Sequence, residues 1–151
     1  LEAGSDTLEV AYLLEGVPQG QTLHLAVEFN FAGMPPGADD RYYYAPDGRR
    51  LGPLGTRLDL ADAAGLGLVD EWLGIDVLMH SSRPGGIWTF PIETVSQSEG
   101  GFELVHQSVA VLPHWIVTAD ASGRWSVVLK WTLDASRAAS RCENHTVAAM
   151  L

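Results

Sequence analysis

Apolar and polar residues alternate along Leu8 to Leu14, Thr22 to Phe31, Leu68 to Met79, Ile87 to Val95, Phe102 to Leu112 and Trp125 to Leu133. β-Branched and aromatic side chains are prominent in these runs, and a period of two predicts strands with one buried face each. Turn signals separate the runs: Gly16-Val17-Pro18, Pro35-Pro36-Gly37, Asp47-Gly48, Pro84-Gly85-Gly86, Gly100-Gly101 and Ser122-Gly123. Their spacing suits antiparallel hairpins. No apolar stripe of helical period is sustained before Asp134, where alanine and arginine suggest a short helix or a frayed end. Half-buried strands must cover their apolar faces against another sheet. The pattern therefore predicts an all-β fold, a two-sheet antiparallel β-sandwich over residues 1–135, followed by a tail at 136–151. The stretch from Gly33 to Gly55 is long for a loop and predicts a binding feature, a lid or an unrecognised strand, with Arg41-Tyr42-Tyr43-Tyr44 inside it.

Composition narrows the function. A chain of 151 residues fits one domain, and a formal charge of −10 repels phosphate backbones and anionic lipid, so neither nucleic acid nor a membrane surface is an expected partner. Cys142 stands alone, which excludes an internal disulfide and a cysteine zinc cluster within the chain. No apolar run approaches the roughly 20 residues of a bilayer span, and the first residues do not read as a signal peptide. A cytoplasmic location is the expectation. The chain opens in strand-like sequence without an initiator methionine and is expected to be a piece of a longer protein.

Candidate chemistry concentrates in Phe90 to Val111. Glycoside cleavage needs two carboxylates about 5–9 Å apart, but Glu93 shares a strand face with Val95 and Gln97 while Glu99 falls at a turn, so no pairing follows from spacing. Trp88 and Phe90 are candidates to desolvate Glu93. His80, His106 and His114 are isolated, without a metal-ligating spacing, and Ser96, Ser98 and Ser108 lack a nucleophile elbow. Asp39-Asp40, Asp70-Glu71-Trp72 and Asp76 offer oxygen ligands but not the twelve-residue calcium-loop spacing. No metal site is assigned, and no cofactor. Asn144-His145-Thr146 is a sequon without an accompanying secretion signal. Tyr42, Tyr43, Tyr44, Trp72, Trp88 and Trp115 could stack on sugar rings beside carboxylates and amides, whereas Trp125 and Trp131 share a strand face and read as core.

The run Phe90-Pro91-Ile92-Glu93-Thr94-Val95-Ser96-Gln97-Ser98-Glu99-Gly100-Gly101-Phe102-Glu103 resembles the C-terminal β-sandwich of α-amylase and 4-α-glucanotransferase proteins in glycoside hydrolase family 57. Glu28-Phe29-Asn30-Phe31, Asp70-Glu71-Trp72 and Ile75-Asp76-Val77 are similar to other strands of that domain, and together these segments cover about residues 8–134. The resemblance implies a galactose mutarotase-like supersandwich that is not itself catalytic. The family's nucleophile and general acid lie in a β/α barrel, and nothing in this chain alternates strand and helix as a barrel must. It implies a noncatalytic accessory domain whose partners are the catalytic barrel of the same parent chain and an α-glucan. Glu28, Asn30, Trp72, Glu93, Gln97 and His106 are the candidate carbohydrate contacts. The alternatives are a structural module without ligand and a mutarotase-like epimerase using His106 as acid and Glu93 as base.

Overall fold

The computed structural model describes residues 6–34, 36–98, 100–136 and 138. Nine strands account for most of them: β1 (Thr7–Leu14), β2 (Thr22–Ala26), β3 (Phe29–Ala32), β4 (Arg41–Tyr44), β5 (Arg50–Pro53), β6 (Leu58–Asp70), β7 (Ile75–Ser98), β8 (Gly101–Thr118) and β9 (Trp125–Asp134). All pairings are antiparallel. Among the described residues no helix is long and apolar enough to cross a membrane. The tail beyond residue 138, with Cys142 and the sequon at Asn144, lies outside the described residues, as does Glu99.

Hydrogen bonds join the strands in the order β1-β9-β7-β6-β4-β5, and β8 adds to β7 while carrying β2 and β3 on its other edge. One hydrogen-bonded sheet becomes two layers because β7 changes partner along its length. Residues 76–81 pair with β9, and residues 86–98 pair with β8. Pro84 sits between Ser81, the last residue with a β9 partner, and Gly86, the first with a β8 partner, so its missing N–H removes no bond to either strand. β6 matches the change with register shifts between Leu60 and Ala63 and between Ala63 and Gly65. Pro84-Gly85-Gly86, which reads as a turn, is thus a bend inside a strand. Proline and glycine serve a bend and a reversal alike.

Two further runs differ from their reading. Leu68 to Met79 is the end of β6 and the start of β7, reversed by a turn in which the Asp70 Oδ1 accepts the Leu73 N–H at 2.8 Å and the Asp70 carbonyl accepts the Gly74 N–H at 2.9 Å. Gly74 closes that turn at φ 71°, where side chains are strained. The Gly33–Gly55 stretch holds β4 and β5, the unrecognised strand among its predicted alternatives.

The layers meet through aromatics. Phe29 and Phe31 of β3 pack on Trp131 of β9 with ring centroids 4.7 and 5.4 Å apart, and Trp115 of β8 packs on Trp125 at 5.7 Å. Tyr43, Leu66, Leu68, Met79, Val109 and Leu129 fill the space between the layers with no exposed surface. Trp125 and Trp131 are core residues, as their alternation implies. The two-layer all-β architecture is the predicted one.

Candidate functional site

The face of β8 turned away from the core carries a row of polar and aromatic groups spanning four strands. His24 of β2, His114 of β8, Trp88 of β7 and Asp59 of β6 fall side by side, because His24 pairs with Ile116, Gly86 with His114 and Asp59 with Trp88. The His24 Nε2 and His114 Nδ1 lie 3.0 Å apart, and the Trp88 Nε1–H donates to the Asp59 Oδ1 at 3.0 Å. The His114 ring stacks on Trp88 with centroids 3.9 Å apart. Gly86 makes this possible, since a Cβ there would stand 2.0 Å from the His114 Cε1. Without that methyl the imidazole lies flat over the strand.

His114 Nε2, buried over Gly86, has no hydrogen-bond partner among the described residues. A bare lone pair costs less there than an unpaired N–H, so Nδ1–H is the favoured donor to His24. Burial and then the neighbouring His24 depress the His114 pKa below its ordinary value of 6.5, with Asp59 opposing them. The unfolded chain therefore binds this proton more readily than the folded one, and stability falls as pH drops through 6.5, levelling off below the folded-state value. A melting temperature that declines from pH 7.5 to 5.5 more steeply in wild type than in His114→Asn is expected from calorimetry. Parallel declines would contradict this account.

The residues suggested by the sequence are distributed differently. Asn30 lies on the outward face of β3, donating its amide to the Glu28 Oε1 at 2.8 Å, and Trp72 projects from the β6–β7 turn at 71% exposure. Glu93, Gln97 and His106 lie on the opposite side, on the hairpin formed by β7 and β8. Glu93 faces His106 and Gln97 faces Phe102 in the register. Trp88 and Phe90 alternate away from Glu93 and point to the other face. His106 donates its Nε2–H to the Met34 carbonyl at 3.0 Å, and its Nδ1 is buried without a partner among the described residues, so neither nitrogen is open to a sugar. The six residues occupy three separate places.

The tyrosine run is structural. Tyr43 is wholly buried and its phenol is pushed up to about 12 by desolvation, Tyr44 donates to the Asp76 Oδ1 at 2.6 Å, and the Arg50 guanidinium stands 4.1 Å over the Tyr42 ring. The Arg41 guanidinium bridges Asp40 and Asp70 at 3.0 and 2.8 Å. Among the described residues no three or more His, Cys, Asp and Glu side chains are grouped to hold a metal ion. His24 and Asp59 carried no signal in the sequence. Their partners are 90 and 29 residues away, and only the strand register brings them together.

Beyond residue 91 the β7–β8 hairpin leaves the body of the sheet. β6 pairing on β7 ends at Thr89 and β3 pairing on β8 ends at Ser108, so among the described residues 93–98 and 101–106 form a two-stranded ribbon with both edges open. Its Glu93–Gln97 face continues the core-facing side of Thr89, Val109 and Val111. On this face Val95, Leu104 and Phe102 are 67, 67 and 79% exposed.

Comparison with known proteins gives four matches. Residues 1–129 match the family described as α-amylase/4-α-glucanotransferase, C-terminal. Alpha-amylase 1 of Dictyoglomus thermophilum is 25% identical over 130 residues, which are 82% of this chain and 18% of that protein. Among solved structures, 4-alpha-glucanotransferase from Thermococcus litoralis shares 17% identity at a TM-score of 0.48, over 83% of this chain and 16% of that one. The protein HI1317 shares 12% identity at a TM-score of 0.50, over 85% of this chain and 52% of that one. The chain thus spans less than a fifth of the α-amylase and of the glucanotransferase it matches.

Proposed function

Because the chain belongs to the α-amylase/4-α-glucanotransferase C-terminal domain family, we propose that it is a noncatalytic accessory domain of an α-glucan-active hydrolase or transferase of glycoside hydrolase family 57. It packs beside the catalytic barrel of its parent chain and contacts carbohydrate with one sheet face. The observation that carries the packing role is the β7–β8 ribbon. An isolated two-stranded hairpin is marginal in water, and this one extends the core-facing side with Val95, Phe102 and Leu104 uncovered. Covering each of them fully is worth roughly 1.5–3 kcal/mol, enough to favour a partner surface strongly. Large exposed apolar patches on small domains mark such contacts.

The test is hydrogen exchange of the hairpin amides in a full-length enzyme carrying this domain, compared with the 151-residue chain alone. Residues 101–106 are expected to exchange more slowly in the full-length protein. Phe102→Ser with Leu104→Ser should abolish the difference while shifting the isolated chain's stability by no more than about 0.5 kcal/mol per surface substitution. Equal exchange in both settings would leave the ribbon without a partner and remove the packing role.

A further inference from the structure

We propose that the groove between the bulged part of β6 and the β7–β8 pair is a subsite for one neutral glucose residue of an α-glucan. Asp59 and Asp62 accept from the sugar's hydroxyls, and Ile116 with Pro84 forms the apolar side of the groove. The inference rests on the reading that this domain meets carbohydrate, and it gives that contact a place none of the six sequence candidates occupies.

The groove is open to solvent along one side and offers about 580 Å³, within the range of roughly 300–1,000 Å³ common to small-molecule sites. Its wall from β6 is built by the two register shifts, and these hold Asp62 at φ 54°, a positive value that no other described non-glycine residue adopts. Aspartate is among the residues that tolerate this region, and the bulged backbone brings Asp62 to the groove. Asp59 is oriented by the Trp88 indole, which commits Oδ1 and leaves Oδ2 for a further donor. Ile116 presents a side chain 66% exposed, beside His114.

The chemistry selects among ligands. Two carboxylates outnumber the one guanidinium of the wall and disfavour an anion; Arg83 lies 5.8 Å over the Trp125 ring and donates its Nε–H to the Ser126 carbonyl at 2.7 Å. The donor set is short of what a metal ion requires. What remains is a flat ligand with an apolar face and hydroxyls at its rim. The neutral imidazole of His114 suits such a ligand and would repel none of its groups.

Maltotriose titrated into the 151-residue chain, followed by calorimetry and by ¹H–¹⁵N shifts, tests the site. Saturable shifts are expected at the Trp88 indole N–H and at the Gly85 and Gly86 amides. Asp62→Gly, a residue at home at that φ, should keep the fold and weaken binding roughly tenfold or more, as loss of a hydrogen bond to a charged group implies. Saturable shifts at the hairpin, unaffected by Asp62→Gly, would overturn this subsite while keeping the carbohydrate reading. Equal affinity for cellotriose would overturn the α-glucan assignment. No saturable response to maltotriose or maltoheptaose would remove both.

Discussion

Arg41→Met is expected to destabilise the protein by about 3–5 kcal/mol, the usual cost of stripping a buried charge of its partner. Asp70 has no exposed side-chain surface, and its Oδ2 accepts the Arg41 Nε–H at 2.8 Å while its Oδ1 accepts the Leu73 N–H. Removing the guanidinium leaves a carboxylate with one neutral donor in the interior, at the junction of β4, β6 and the β6–β7 turn. Adding Asp70→Asn to Arg41→Met should recover part of the loss, because the amide retains an acceptor for Leu73 and no longer buries a charge. Urea unfolding of the two single variants and the double variant measures this directly. An Arg41→Met penalty below about 1 kcal/mol, the scale of exposed pairs, would mean that the pair behaves as a surface salt bridge.

Gly65→Val comes next, with a cost at or beyond the upper end of the roughly 1–3 kcal/mol typical of overpacking. A Cβ at Gly65 would stand 2.3 Å from the Met79 carbonyl oxygen and 3.1 Å from the Pro46 Cγ. The first of these is backbone in the β6–β7 ladder, so relief requires the strands to separate where β6 changes register. Its neighbour Ala64 is exposed, and Ala64→Val serves as the control, with a shift within about 0.5 kcal/mol. Comparable melting temperatures for the two variants would show that the sheet can yield at the bend.

Much of the architecture could be read from the chain because period-two alternation reports burial on one face. The Trp125–Leu133 run became β9 with Trp125, Val127, Leu129 and Trp131 buried in turn. Sequence reading faltered where one residue type serves two geometries. Pro84-Gly85-Gly86 bends a strand that continues, and Glu71–Gly74 reverses a run whose apolar pattern passes through it, because a local Asp70 side-chain bond sets the turn. The candidate site was less legible still. Trp88 stood out as an aromatic, but its meaning depends on His24, His114 and Asp59, which reach it from three other strands.

By itself the sequence determined an all-β chain, the core placement of Trp125 and Trp131, its acidic charge and its resemblance to the C-terminal domain of α-amylase/4-α-glucanotransferase proteins, since these depend on composition, on alternation between neighbours or on short local runs, whereas the burial of Tyr43 and Trp115, which read as sugar-stacking candidates, came only with the fold. The tertiary structure decided which faces those strands present. The registers of β6, β7 and β8 place Glu93 and Gln97 on an uncovered arm and turn His106 back onto the Met34 carbonyl, and a bulge brings Asp62 to a groove. A one-residue change of register inverts every side chain beyond it, and no local pattern records where such shifts occur.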